Sequence, residues 1–136
     1  MKLNELVKIK ADKTAWVIAH TNNHLILGKR APSVRNPNQW NFFGGRVDEG
    51  EEPIDTAVRE LKEETGYQAK RSELKELSVV GNASYFSLKI SSQANMSVSS
   101  EISKVKSFKL TDLPDNLHSK TENFFSDLNN LLEFVG

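Results

Sequence analysis

The chain has 136 residues, a length that suits one domain built around a single hydrophobic core. Its 18 lysines and arginines balance its 18 aspartates and glutamates, which argues against a protein that binds nucleic acid or an anionic membrane through its overall charge. Because it contains no cysteine, it has no disulfide, thiolate metal site or cysteine nucleophile, and this composition is compatible with the reducing cytoplasm, where we expect the protein.

The N-terminal residues give no indication of export. The first ten carry four charged side chains and lack the continuous apolar core of a secretory signal. No apolar stretch in the sequence is long enough to span a bilayer. We therefore expect a soluble protein without a membrane partner.

The first part of the chain has the pattern of a β-hairpin. Thr14–His20 and residues 24–28 are apolar runs rich in branched side chains, and the polar residues 21–23 between them favour a turn. Residues 29–39 are basic and contain two prolines, which predicts a loop. Residues 40–43 are predicted to form a short aromatic strand.

A helix is predicted over Pro53–Thr65. Proline suits the first helical position, where its missing N–H costs no hydrogen bond, and Gly66 supplies the left-handed conformation that often ends a helix. Ile54, Val58 and Leu61 lie at i, i+4 and i+7, so they form one apolar stripe. We expect that stripe to face a sheet.

The second half of the chain is predicted to add strands and a second helix. Residues 74–80, 85–90 and 105–110 have strand patterns, whereas residues 91–100 are small and polar and predict a mobile loop. Apolar side chains at helical spacing near the end predict an amphipathic helix that closes the core, formed by Phe124, Phe125, Leu128, Leu131 and Leu132. Strands combined with two helices indicate a single α/β layered domain over residues 1–136.

Three glutamates of the predicted helix share one patch, on the side away from the apolar stripe. Glu60 lies beside both Glu63 and Glu64, because residues three and four apart on a helix are neighbours. Like charges at these spacings each cost a helix roughly 0.2 to 0.5 kcal/mol unless a positive group offsets them. Magnesium and manganese prefer carboxylate oxygens. A divalent-metal site is one interpretation of the patch, and a solvated acidic helix face is the common alternative.

The residues around the patch favour the metal site. From Gly45, five residues lead to Glu51, seven more lead to Arg59-Glu60-Leu61, and Lys62 precedes Glu63-Glu64-Thr65-Gly66-Tyr67. This spacing resembles the signature of the Nudix hydrolase family, G-x5-E-x7-R-E-U-x-E-E-x-G-U, where U is apolar. Tyr67 is a loose match, since the family usually has an aliphatic residue there. Just upstream, residues 40–45 resemble the family's W-x-F-P-G-G, with Phe43 in place of proline.

The resemblance implies an α/β/α sandwich with a mixed sheet and a metal cofactor, magnesium or else manganese. It also implies hydrolysis of a nucleoside diphosphate linked to another group, with water attacking phosphorus. By the same resemblance Glu63 and Glu64 are metal ligands, Glu60 is a ligand or the general base, and Gly45 offers its backbone carbonyl to the metal.

Three further residues have roles implied by the resemblance. Arg59 and Glu51 would form an ion pair that holds the loop before the helix onto the helix. Family members often recruit an acidic residue from a later loop as ligand or base, and Glu101 has a similar placement. A plain surface glutamate is the alternative for Glu101.

Candidate substrate contacts lie outside this motif. Arg30 and Arg46 are candidates for clamping phosphates, although each alone is more often a solvated surface charge. Trp40 and Phe42 are candidates for stacking on a base, with a core position as the favoured alternative. Tyr85 falls where the family's dinucleoside polyphosphate hydrolases carry a tyrosine, but a strand would also favour tyrosine there.

The expected partner is a small nucleotide, either a nucleoside triphosphate, a nucleotide sugar or a dinucleoside polyphosphate, and not nucleic acid. We expect a monomer or a homodimer. The three histidines lack the spacing of zinc ligands: His20, His24 and His118. A module that senses a nucleotide without cleaving it is the alternative function; it predicts lost catalytic carboxylates, and none of those in the motif is lost.

Overall fold

A computed structural model describes residues 12–125 of the chain. Within that range, seven strands form one mixed sheet with a helix against each face. The leucines expected to close the core from the C-terminal end lie outside the described residues: Leu128, Leu131 and Leu132. No described helix has the length and apolar composition needed to cross a membrane.

The elements follow one another in a simple order. The strands are β1 (Thr14–His20), β2 (His24–Arg30), β3 (Trp40–Asn41), β4 (Phe43–Arg46), β5 (Lys75–Val80), β6 (Ala83–Lys89) and β7 (Ile102–Lys109). The helices are α1 (Pro53–Thr65) and α2 (Ser119–Phe125). Two short 3₁₀ turns lie at Arg71–Glu73 and Gln93–Asn95.

Strand β1 is central to the sheet. It pairs along its whole length with β6 in parallel, from Thr14 opposite Ala83 to His20 opposite Lys89. On its other side, the first half of β1 pairs antiparallel with β4 and its end pairs antiparallel with β2. Strand β2 then pairs with β3 and β7, and β6 pairs with β5. The predicted hairpin and mixed sheet are therefore confirmed.

The side chains of β1 alternate between two hydrophobic layers. Val17 belongs to the layer that contains Leu61 of α1, and Trp16 and Ile18 belong to the layer that contains Phe124 of α2. Because successive side chains of a strand point to opposite faces, the two helices lie on opposite sides of the sheet. This arrangement is the predicted α/β/α sandwich.

Helix α1 has the predicted limits. It spans Pro53–Thr65, and Gly66 ends it with a φ of 77° and an N–H that donates to the carbonyl of Lys62. Leu61 is fully buried, and Ile54 and Val58 pack partly buried against the same layer. The apolar stripe therefore faces the sheet, as its spacing predicted.

Several strands differ from their predicted bounds because their partners are distant in sequence. The single strand expected at residues 40–43 is two strands, since β3 pairs with β2 whereas β4 pairs with β1. Strand β7 begins at Ile102 and not at residue 105, because it pairs with the whole of β2 up to Arg30. Strand β6 begins at Ala83, which lies opposite the first residue of β1.

The loop predicted at residues 91–100 is attached to α1 and β7 by hydrogen bonds, whereas its mobility stays a prediction. The N–H and the hydroxyl of Ser97 both donate to the carbonyl of Thr65 at the end of α1, at 2.9 and 3.2 Å. The side-chain amide N–H of Gln93 donates to the carbonyl of Val105. The hydroxyl of Ser107 donates to the side-chain oxygen of Gln93 at 2.7 Å. Polar side chains that indicated a loop thus also attach it to α1 and β7.

Candidate active site

Two glycines of β4 allow close approach: Gly44 to strand β1 and Gly45 to helix α1. A Cβ atom on Gly44 would collide with the backbone of β1, at the carbonyl of Ala15 and at Trp16. A Cβ atom on Gly45 would lie 2.8 Å from Oε1 of Glu60. The carboxylates of α1 therefore lie directly against the backbone of this strand.

The three glutamates of α1 are buried to different degrees. Glu64 is 4% exposed and accepts a hydrogen bond of 2.8 Å from the N–H of Gly44. The side chain of Glu60 is 16% exposed, whereas that of Glu63 is 56% exposed. The prediction that all three face away from the core was wrong for Glu64, because it lies three residues after the buried Leu61 and so shares its side of the helix.

Burial and nearby negative charges raise the pKa of the two inner glutamates. Burial raises the pKa of Glu64 well above its usual value, and the charge of Glu60 raises it further, while the Gly44 N–H opposes both effects. Burial also raises the pKa of Glu60, although Arg59 opposes this shift. The charge of Glu101 raises the pKa of both groups, which places Glu101 within electrostatic range of them.

Arg59 is the centre of the ion-pair network. Its Nε and Nη2 donate to the two carboxylate oxygens of Glu51 at 3.0 and 3.1 Å, which is the predicted ion pair. Its Nη1 donates to Glu60 at 3.0 Å and to Glu63 at 3.3 Å. The Arg59 guanidinium, together with a hydrogen bond of 2.5 Å from the hydroxyl of Thr56, lowers the pKa of Glu51 to about 2. Sequence analysis did not identify Thr56 as part of this network.

The chemistry of this site suits a divalent cation. Within residues 12–125, no three His, Asp or Glu side chains are placed as a ready set of metal ligands. Arg59 donates hydrogen bonds to oxygens of Glu60 and Glu63. The groups that converge are nevertheless carboxylates and a glycine backbone, the hard oxygen donors that such ions prefer. Burial and, to a lesser extent, nearby negative charges raise the pKa of Glu60 and Glu64, and a bound cation would oppose both effects.

Glu101 is held at its backbone just before β7. The Ala31 N–H donates to the Glu101 carbonyl at 2.8 Å. The hydroxyl of Ser99 accepts from the N–H groups of Glu101 and Ile102, at 3.4 and 3.2 Å. A serine that accepts from backbone groups two and three residues later is a known local motif, and it is the signal in the sequence that could have identified Ser99.

The two candidate phosphate-binding arginines differ in position. The charge of Arg30 lowers the pKa of Glu64, so this side chain lies near the carboxylates, where its Nε donates to the Arg35 carbonyl at 2.6 Å. The side chain of Arg46 is 72% exposed and lies 4.0 Å from Asp12. The structure therefore brings Arg30, more clearly than Arg46, to the candidate site.

The candidate aromatic contacts lie mainly in the core. Phe42 is 2% exposed and Tyr85 is fully buried, and their rings meet edge to face in the layer beneath α2. The Tyr85 hydroxyl donates to the Lys120 carbonyl at 2.5 Å, and burial raises its pKa to about 12. Trp40 is partly buried and packs edge-on against Phe108. Phe42 and Tyr85 therefore expose almost no surface that could contact a substrate.

The two departures from the family motif are accommodated by packing. Phe43 is fully buried, and its backbone keeps the pairing of β4 with Val17 of β1. Its ring fills the space above Gly28, where a Cβ atom would lie 2.7 Å from Cε1 of Phe43. Tyr67 packs partly buried against the layer beneath α1. Neither substitution displaces the carboxylates.

Comparisons with known proteins agree with this geometry. A family model described as NUDIX domain matches residues 11–128. The chain is 38% identical over 50 residues to the 8-oxo-dGTP diphosphatase of Escherichia coli K12, a match that covers 37% of this chain and 39% of that protein. The chain spans less than half the length of each curated relative that it matches.

Solved structures share the fold at low sequence identity. A Nudix hydrolase from M. smegmatis, RenU, has a TM-score of 0.70 and 17% identity, covering 93% of this chain and 88% of its own. Another structure with this fold is a bifunctional NMN adenylyltransferase/ADP ribose pyrophosphatase from Francisella tularensis, complexed with AMP and a manganese ion. Its TM-score is 0.64 at 17% identity, and the match covers 97% of this chain and 45% of the other. The matched family model includes the motif at residues 45–67, and the chain therefore belongs to the Nudix family.

Proposed function

We propose that this protein is a magnesium- or manganese-dependent hydrolase that cleaves the pyrophosphate bond of a nucleoside diphosphate linked to another group. The observation that carries the proposal is the burial of Glu64 beside Glu60, against the backbone of Gly44 and Gly45. Arg59 already pairs with Glu60, whereas Glu64 accepts a hydrogen bond from the Gly44 N–H and forms no ion pair with a described residue. A carboxylate buried in this way costs stability unless a positive ligand joins it. The motif at residues 45–67 supports the same function.

The proposed metal ligands are the carboxylates of Glu60, Glu63 and Glu64 and the carbonyl of Gly45. A divalent ion held there supplies positive charge that screens the diphosphate and lowers the pKa of water. Glu64 is oriented by the Gly44 N–H. Glu60 and Glu63 both bond Arg59, which must release at least part of this contact as they take up the ion.

The remaining residues have supporting roles in this proposal. Glu51 anchors Arg59 through two hydrogen bonds and so fixes the loop that follows β4 on α1. Arg30, and with less structural support Arg46, would bind phosphate oxygens of the substrate. The oxygen of water forms a bond to phosphorus while the bridging P–O bond breaks, and Glu60 or Glu101 accepts the proton of the water.

The substrate class proposed is a free nucleotide or nucleotide derivative. The name of the E. coli relative refers to a modified nucleoside triphosphate, and the F. tularensis structure contains AMP. A nucleotide phosphate is common to both, whereas the group attached to it differs. We therefore propose a pyrophosphate bond of a nucleotide as the bond that is cleaved, with different groups attached to it.

A substrate panel tests the proposal. The protein is incubated with magnesium or manganese and with nucleoside triphosphates, nucleotide sugars, ADP-ribose and dinucleoside polyphosphates, with and without a chelator. We expect metal-dependent cleavage of at least one compound, and isotopically labelled water then shows which phosphorus is attacked. Binding of a nucleotide without any cleavage would instead favour the sensing module, and neither binding nor cleavage would refute the proposal.

A further inference from the structure

A cavity lies at the turn between β1 and β2, away from the candidate active site, and we call it the hairpin pocket. It has a volume of about 280 Å³. Its apolar lining is formed by Leu25, Leu77 and Leu110, which belong to the hydrophobic layer on the α2 side of the sheet. Leu25 is buried, whereas the other two are partly exposed. The pocket thus offers apolar surface at the margin of the core.

The polar lining of the hairpin pocket carries positive charge and hydrogen-bond donors. Lys75 of β5 and Lys89 of β6 are both exposed at its rim, and neither forms an ion pair with a described residue. His24, Ser87 and the asparagines at positions 22 and 23 add further polar groups. No aspartate or glutamate is among the described lining residues. Two ammonium groups in a lining without acidic residues favour a local positive potential in a protein whose net charge is zero.

The strand pairing explains why the two lysines line the same pocket. Lys75 lies opposite Ser87 in the antiparallel pair of β5 and β6, and Lys89 lies two residues beyond Ser87. Side chains two residues apart point to the same face of a strand, so both ammonium groups lie on the side of the sheet that carries Leu77. The lysines and the apolar surface therefore belong to one site.

The hairpin pocket is separate from the candidate active site. His24 and Arg30 are the two ends of β2, and seven residues of strand place them about 20 Å apart. Arg30 acts on the carboxylate of Glu64, whereas His24 lines the pocket. The apolar lining of the pocket also belongs to the opposite face of the sheet from α1.

We propose that the hairpin pocket binds a small organic phosphate, with its phosphate between Lys75 and Lys89 and its apolar body on the three leucines. The positive charges of the lysines attract the negative phosphate. The apolar surface of the leucines favours a ligand with a compact ring over a fully hydrated ion. This inference goes beyond the proposed function, because it needs neither the metal nor the carboxylates. It adds a second ligand site, distant from the site of hydrolysis.

Three probes separate the contributions of charge and apolar surface. Phenyl phosphate has both a phosphate and a ring, inorganic phosphate has only the charge, and benzyl alcohol has only the ring. Each is titrated into the metal-free protein with a chelator present, and backbone amide shifts of Leu25, Leu77 and Ser87 are followed by NMR. We expect phenyl phosphate to bind about tenfold more tightly than either of the other probes, because both parts of the pocket contribute.

Lysine variants locate the phosphate. Lys75→Ala and Lys89→Ala are each expected to weaken phenyl phosphate binding by about fivefold, and Lys13→Ala is the matched control, since it removes the same charge at the other end of β1. Amide shifts elsewhere report whether each variant is folded. The proposal is overturned if phenyl phosphate leaves these three amides unchanged, if benzyl alcohol binds equally well, or if Lys13→Ala has the same effect as the pocket variants.

Discussion

The two faces of the sheet bury polar groups in opposite ways. Beneath α2, the Thr121 hydroxyl donates to Asn41 at 2.6 Å and accepts from the Phe42 N–H at 3.0 Å, so neutral groups satisfy one another. Beneath α1, the carboxyl group of Glu64 is buried next to Glu60, and burial together with the charge of Glu60 raises its pKa. Polar groups on the α2 side thus satisfy one another, whereas we propose that those on the α1 side bind a ligand.

The largest expected effect comes from Glu64→Gln. This change removes the carboxyl group that is buried beneath α1 and keeps an oxygen that can accept from the Gly44 N–H. We expect turnover to fall on the order of 1000-fold, because a metal ligand is lost from a group of residues that acts as a unit. Stability of the metal-free protein should rise by about 1 kcal/mol, since a buried charge is removed. Steady-state kinetics and urea unfolding in chelator measure the two effects.

Glu63→Gln is the matched variant, because its side chain is mostly exposed. Glu63→Gln should lose about as much turnover as Glu64→Gln, but it should not stabilise the metal-free protein. If Glu64→Gln destabilised the metal-free protein and retained turnover, the contrast between the two faces would be wrong.

Thr121→Val tests the α2 side of the sheet, where we expect lower stability and unchanged turnover. The change leaves the Asn41 oxygen and the Phe42 N–H without their buried partner, so stability should fall by about 1 to 3 kcal/mol. Turnover of the folded fraction should be unchanged. Urea unfolding and kinetics at a temperature well below the transition measure both, and a large loss of turnover in the folded protein would contradict the division of roles.

The Glu51–Arg59 pair gives an acid dependence of stability. The folded-state pKa of Glu51 is lowered from 4.5 to about 2, so its contribution is present above pH 4.5 and is lost as the pH falls from 4.5 towards 2. Because the Glu51 side chain is 19% exposed, we expect the contribution to be about 1 to 2 kcal/mol. Unfolding measured from pH 6 to pH 3 should show a shallower loss of stability in Glu51→Gln than in the natural chain. Equal slopes would contradict this account.

The smallest expected effect concerns Ser99, which we infer to be a positioning residue for Glu101. Ser99→Ala removes the acceptor for two N–H groups that hold the start of β7. If Glu101 accepts the proton of water, kcat should fall about tenfold with little change in KM. Ser99→Thr should retain activity, and Ser100→Ala is the control. An unchanged kcat in Ser99→Ala would favour Glu60 as the base.

The sequence predicted those features that depend on neighbouring residues. The limits of α1 depend on Pro53 and Gly66, and the ion pair of Glu51 with Arg59 depends on spacing within one motif. Strand pairings over long distances were less accessible, since nothing in residues 40–43 shows that β3 and β4 have different partners.

Burial was the least predictable property of the site. Helical spacing grouped Glu64 with Glu60 and Glu63, but its position three residues after Leu61 turned it towards the sheet. Tyr85 fitted both a substrate-contact pattern and a strand pattern, and α2, far away in sequence, covers it through Lys120. The anchoring of residues 91–100 likewise depends on contacts with α1 and β7.

Metal binding is the most direct test of the central claim that the α1 side of the sheet holds a divalent ion. Manganese is titrated in the presence of AMP into the natural chain, Glu64→Gln and Thr121→Val, with bound metal followed by water-proton relaxation. The account predicts binding to the natural chain, unchanged affinity in Thr121→Val, and affinity at least about tenfold weaker in Glu64→Gln. Equal affinity in the natural chain and Glu64→Gln, or no binding to the natural chain, would contradict it.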